Sequence, residues 1–368
     1  MTYIIQLSQA LLLALILTMV AGCSNSGDES VRFEEEPFAE ILAAGVNRHL
    51  GSFTPMSSVA DGDIVNHAFG TGDGPLCMRG GEYTVSTRDT GASELLIFLE
   101  GGGACWSELC AANEEAAPGL PERGILDAAQ AANPMRSWNV TYLPYCDGSI
   151  FSGDVTRDYE DDGNPEIHRG LQNLSAGLDV AQRNFPTPSR IVLAGNSGGG
   201  FGTIFALPLV RSLYPNVPID VINDSGVGVG RANDPSSQTV LIDDWQSGAF
   251  FPNSICPACF TTGNLTAYFD WQLEQDANVN LALMSTKQDF VIGNVFLGIT
   301  GPDFEAALIP AMQAIESRHP DRVRSFIADG AAHTFLQRDI FATAGGVTVH
   351  NWVSSMLSGS SNWQSTTD

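Results

Sequence analysis

The chain has 368 residues, 43% apolar and 16% charged, the proportions of a globular protein with a sizeable core rather than of a disordered or fibrous one. Its 42 acidic residues face only 17 basic ones, and the formal net charge of −25 argues against nucleic acid or an anionic lipid surface as a partner of the folded body.

At the N-terminus an apolar run from Leu11 to Val20 leads into Val20-Ala21-Gly22-Cys23, with small residues where a processing peptidase needs them. The pattern resembles a bacterial lipoprotein signal. It predicts a signal peptide over 1–22, a lipid on the Cys23 thiol and a polar, disordered tether over 23–44. The protein would then be exported and held to the bacterial envelope or cell surface through that anchor alone. An uncleaved membrane anchor is the competing reading, because residues 4–22 approach a bilayer span and no Lys or Arg precedes them.

No repeat or long linker interrupts residues 45–358, which predicts one domain, followed by a polar tail over 359–368. The segments "EYTVSTR" and "ELLIFLE", separated by "DTGAS", predict an antiparallel hairpin leading into a sheet. Short runs rich in Val, Ile, Leu and aromatics then recur at 139–145, 190–195, 218–224, 278–285 and 322–329. Residues 170–184, 200–214 and 303–318 carry apolar positions near helical spacing, and Pro208 should kink the second of these helices. Strands alternating with helices predict an α/β fold, a doubly wound, mostly parallel sheet with helices on both faces.

With Cys23 set aside, six cysteines remain, an even number that suits three disulfides in an exported chain. Cys105 with Cys110 and Cys256 with Cys259 would each close a short loop, leaving Cys77 with Cys146 as the long-range link. A single C-x-x-C, "CPAC", offers a metal only two ligands and has no thioredoxin-like context, so neither a metal nor a redox pair is expected there.

The chemistry centres on "LAGNSGGG", residues 193–200. Ser197 follows a predicted strand and precedes a predicted helix, the strand-turn-helix order of a nucleophile elbow. Glycines two before and two after the serine let strand and helix pass, and the hydroxyl sits at a helix N-terminus, where negative charge is favoured. The pentapeptide "GNSGG" also occurs in the serine turn of chymotrypsin-like proteases, where His and Asp precede Ser; His67 and Asp147 have that order. A β-barrel, however, does not follow its serine with fifteen helix-patterned residues.

The order Ser, Asp, His instead asks for an acid and a histidine beyond later strands, and Asp289 and His333 stand just past two of them. His319, at a helix end, suits a C-terminal cap, and His350, in "VTVHNWV", suits a structural place. A second loop, "FLEGGGACW", supplies glycines for main-chain donors. The amides of Gly102 and Gly103, with that of Gly198 after the nucleophile, are assigned to an oxyanion hole. No G-K-[ST] or G-x-G-x-x-G accompanies these glycines, which argues against a phosphate loop.

Together "LEGGGACWS", "YLPYCDGSIFSGD", "IHRGLQN", "LAGNSGGGFGT", "INDSG" and "DGAAHTF" resemble the pectin acetylesterase and Notum family of α/β-hydrolases, from about Cys77 to Phe335. The resemblance implies Ser197 as nucleophile, His333 as base, Asp289 as orienting acid, the same three oxyanion glycines, and disulfides Cys77–Cys146 and Cys105–Cys110. It implies that Trp106, Asp224 and Ser225 line the substrate pocket. This chain departs from the family in having Gly103 where relatives often carry an aromatic residue and Gly198 where they carry alanine.

The sequence therefore predicts a serine carboxylic ester hydrolase that needs no cofactor or metal and acts on a short-chain or acetyl ester of an O-acylated polysaccharide or similar alcohol. Its rivals are a long-chain acyl or polyester esterase, a peptidase using the same groups, and a non-catalytic, glycan-binding surface lipoprotein.

Overall fold

The computed structural model describes residues 36–231, 234, 236–252 and 255–368. The expected signal peptide, Cys23 and most of the expected tether lie outside them. Among the described residues no helix is long and apolar enough to cross a membrane.

A ten-stranded sheet organises the chain. Its strands are Ser57–Asp61 (β1), Ile64–Ala68 (β2), Thr84–Arg88 (β3), Glu94–Leu99 (β4), Asn139–Leu143 (β5), Arg190–Asn196 (β6), Ile219–Asp224 (β7), Val279–Thr286 (β8), Val323–Ala328 (β9) and Thr366–Thr367 (β10). They lie in the order β1-β2-β3-β5-β4-β6-β7-β8-β9-β10. From β5 to β10 every neighbour is parallel, whereas β1, β2, β3 and β5 pair antiparallel. This is the expected α/β-hydrolase architecture, with helices on both faces.

Two-sided burial follows from side-chain alternation along each strand. In β4, Leu95, Ile97 and Leu99 join one apolar cluster with the helices Gly170–Asn184 and Gly198–Leu213, while Leu96 and Phe98 join another beneath the helix Val349–Leu357.

The predicted hairpin does not form. β3 and β4 are separated by β5, which pairs antiparallel with one and parallel with the other. The Asn139 side chain explains how: it accepts from the Thr90 amide at 2.9 Å and donates to the Ala92 carbonyl at 2.8 Å. That tie folds the "DTGAS" connection over the start of β5 instead of closing a two-strand turn.

Pro208 does lie inside the helix Gly198–Leu213, without ending it. Proline cannot donate to the Ile204 carbonyl, and Gln272 Nε2 does so instead at 2.7 Å.

The folded body reaches beyond 45–358. Phe38 and Ile41 are fully buried around a short helix, Ala39–Ala43, and at the other end Trp363 is buried and Thr366–Thr367 adds a strand. Apolar residues in two segments otherwise read as polar account for both extensions. All three disulfides, Cys77–Cys146, Cys105–Cys110 and Cys256–Cys259, are present.

Candidate active site

The site lies at the carboxyl ends of β6 to β9, where a parallel sheet opens its loops outward. Ser197 joins β6 to the helix Gly198–Leu213 with φ 54° and ψ −122°, a conformation that non-glycine residues seldom adopt. The flanking glycines are steric necessities. A Cβ on Gly195 would meet the Gly199 carbonyl oxygen at 2.1 Å, and one on Gly199 would meet that of Leu99 at 2.1 Å. The Ser197 amide donates to the Asp224 carbonyl at 2.7 Å, fixing the turn against β7.

Past β8, Asp289 is fully buried. Its Oδ1 accepts from the amides of Val291 and Ile292 at 3.0 Å each, and its Oδ2 lies 2.8 Å from His333 Nδ1. A carboxylate can only accept, so Nδ1 carries a hydrogen, and in the neutral ring Nε2 is the nitrogen left to act as acceptor. His333 Nε2 is buried and has no hydrogen-bond partner, and His333 lines the same cavity as Ser197. The structure thus brings Asp289, His333 and Ser197 to one place.

The partners that a barrel protease would use are engaged elsewhere. His67 bonds Ser58 and Thr87 in the antiparallel part of the sheet, and Asp147 is buried and accepts from Ser149. His319 bonds Asp270 at a helix end, and His350 packs on Phe341.

The triple glycine presses onto the nucleophile turn. A Cβ on Gly101 would lie 2.7 Å from Ser197 Cβ, and one on Gly198 would lie 3.0 Å from the Gly103 carbonyl oxygen. Gly103 has φ 86°, and a Cβ there would meet the Ala111 carbonyl oxygen at 1.9 Å, so an aromatic side chain has no room at this position of the loop. Gly103 also opens a hairpin, Gly103–Trp106 with Leu109–Ala112, crossed by the Cys105–Cys110 disulfide. Among the described residues, the group nearest to metal-ligand geometry is Cys105, Cys110 and Glu166, and its two sulfurs are joined in that disulfide.

Two cavities meet at Ser197 and Gly103. The first, about 850 Å³ counting its open mouth, is mainly apolar; Trp106, Phe201, Trp245, Leu265, Phe296 and Leu297 are among its walls. The second, about 1270 Å³ on the same basis, is the more polar of the two; Glu100, Asn113, Arg123, His333, Gln337 and Arg338 border it together with Val291, Val295 and Phe296. Burial raises the Glu100 carboxyl above its usual range, against hydrogen bonds from Tyr142 and the Tyr145 amide.

Of the three residues expected to line a pocket, Trp106 does, 6.3 Å from the Phe296 ring. Asp224 and Ser225 border neither cavity. They are buried, and their side chains accept from the amides of Thr334, Phe335 and Leu336, just past His333. Burial pushes the Asp224 carboxyl up to about 6 despite the pull of the Phe335 and Leu336 amides and of His333. The sequence reading missed most of the walls of both cavities. Trp245, Phe296 and Arg338 come from segments with no motif, so only their position in space identifies them.

Residues 64–241 match the family model described as pectinacetylesterase. The chain is 27% identical over 168 residues to pectin acetylesterase 4 of Arabidopsis thaliana, covering 42% of this chain and 41% of that protein. It is 28% identical over 163 residues to palmitoleoyl-protein carboxylesterase notum2 of Xenopus laevis, covering 40% and 32%. It is also 30% identical over 159 residues to that organism's notum1, covering 37% and 31%. The aligned part thus spans well under half the length of each of these relatives, and the family match stops before Asp289 and His333. Through residues 64–241, which hold the glycine loop and the serine turn, the chain is similar to the pectinacetylesterase family.

Proposed function

We propose that the protein is a serine carboxylic ester hydrolase in which Ser197, His333 and Asp289 form a catalytic triad. The observation that carries this reading is a histidine whose Nδ1 is held by a buried carboxylate while its Nε2 stays unpartnered in the cavity that Ser197 borders. His333 Nε2 takes the Ser197 proton as Oγ attacks the ester carbonyl, and the oxyanion forms beside Gly102, Gly103 and Gly198. Collapse of the tetrahedral intermediate expels the alcohol, which leaves with the proton from His333. Water then attacks the acyl-enzyme by the same route in reverse, releasing the acid and restoring Ser197.

The two cavities divide the substrate. The polar one suits a hydroxyl-rich alcohol such as a sugar unit, consistent with the acetylated-polysaccharide reading. The apolar one favours a second reading of the acyl side, a chain of several carbons in place of acetate. Each further methylene buried there would raise kcat/KM by up to about fourfold, from a transfer free energy of about 0.8 kcal/mol. An acyl series of p-nitrophenyl esters separates the two readings: a maximum at acetate favours acetyl ester hydrolysis, a rise to medium chains the apolar reading. Ser197→Ala tests the mechanism itself, with an expected loss on the order of a million-fold in kcat; retention of the native rate would eliminate the triad.

Export and lipidation at Cys23 belong to the same proposal. Three disulfides favour an oxidising compartment, and labelled palmitate on Cys23 is the test.

A further inference from the structure

We infer that Asp224 is a positioning residue that locks the nucleophile turn and the histidine loop into one register. The inference rests on the triad reading above, to which it adds the device that holds Ser197 and His333 together.

Those residues sit on loops far apart in sequence, and Asp224 touches both. Its main-chain oxygen accepts from the Ser197 amide at 2.7 Å. Its Oδ2 accepts from the amides of Phe335 and Leu336, at 2.8 Å each. Next to it, Ser225 Oγ accepts from the Thr334 amide at 3.3 Å. Three successive amides after His333 are thus held by the end of β7, which also holds the serine turn. That strand end is itself fixed, because the Asn223 side chain donates to the Gly200 carbonyl at 2.7 Å and accepts from the Gly226 amide at 2.9 Å.

Backbone strain collects at the same junction. Ser197, Ser225 and Thr334 are non-glycine residues with φ of 54°, 60° and 65°. Such conformations persist only where surrounding bonds over-determine them, and the bonds from β7 do so here. Asp224 is fully buried, so no solvent can replace its carboxylate as acceptor for the two amides. It borders neither cavity, which separates positioning from substrate contact.

The test compares Asp224→Ala with Asp224→Asn in the full chain, using p-nitrophenyl ester turnover and the rate at which a fluorophosphonate labels Ser197. Misplacement of His333 relative to Ser197 by about 1 Å should lower kcat on the order of a hundred-fold in Asp224→Ala while KM stays within about threefold. A carboxamide oxygen can accept the same two amides, so Asp224→Asn should recover at least about tenfold of that loss. Should Asp224→Ala fail to fold, Asp224→Ser, too short to reach both amides, takes its place with the same expected split. A folded alanine or serine variant with near-native kcat, or an asparagine variant as impaired as alanine, overturns the inference. If native protein is inert and unlabelled at Ser197, the triad reading falls, and this inference with it. Normal labelling of native protein with no kinetic change in the variants removes this inference alone.

Discussion

Asp289→Asn is the most searching single perturbation of the site, because it changes the chemistry and leaves the packing nearly intact. In the native protein Oδ1 of Asp289 accepts from the amides of Val291 and Ile292, and Oδ2 faces His333 Nδ1 at 2.8 Å. An asparagine keeps the loop only by putting its oxygen on the two amides, since two N–H groups cannot face an N–H2. Its Nδ2 then faces His333. Of the two acceptors that face Nδ1, only the oxygen at 3.0 Å, already shared by two amides, then remains, so the ring favours the tautomer that accepts from Nδ2 and carries its hydrogen on Nε2, where it can no longer take the Ser197 proton.

Loss of the correct tautomer should lower kcat by roughly 10³ to 10⁴, about 4 to 5.5 kcal/mol in the barrier. Folding stability should move by only about 1 kcal/mol, because both amide bonds survive. Asp289→Ala, which leaves those amides without an acceptor, should cost about 1–3 kcal/mol for each in addition. Burst kinetics with p-nitrophenyl esters and urea unfolding on the same preparations give both numbers. An asparagine variant within tenfold of native kcat would refute the role given to Asp289.

Three further predictions address the frame of the site. Replacing Cys77 and Cys146 together by serine should cost about 4 kcal/mol on the loop-entropy model, read as a lower urea midpoint, because the bridge spans 69 residues of sequence. Gln272→Leu should cost about 1–3 kcal/mol by leaving the Ile204 carbonyl, already deprived of a donor by Pro208, unsatisfied in the core. The Asp224 carboxyl, raised by burial to about 6 from an ordinary 3.8, binds its proton more tightly when folded. Its contribution is therefore fully present below pH 3.8 and is lost as pH rises through about 6, a change of about 3 kcal/mol that urea titrations should find absent from Asp224→Asn.

Much of the candidate site's geometry was legible in the chain because its demands are local. The turn at Ser197 needs glycine at 195 and 199 for backbone clearance, so the motif is written in adjacent residues. The order of strands followed by Asp289 and His333 could likewise be read, since loops after parallel strands emerge on one side of a sheet. The failures have the opposite character. The neighbour of β4 depends on Asn139, some forty residues away, whose amide group captures the connecting loop. Asp224 was placed in the pocket by family resemblance alone, whereas in space it is buried and bonded to the serine turn and the histidine loop.

By itself the sequence determined the alternation of strands and helices, the elbow, the even set of six cysteines and the acidic charge, all of which follow from residue type and short-range spacing. The tertiary structure decided which strands are neighbours, which acceptor each buried amide finds, and how an apolar and a polar cavity come to share Ser197. Those outcomes depend on contacts between segments distant in the chain, where many pairings satisfy the same pattern and only complete packing with every buried polar group satisfied selects one.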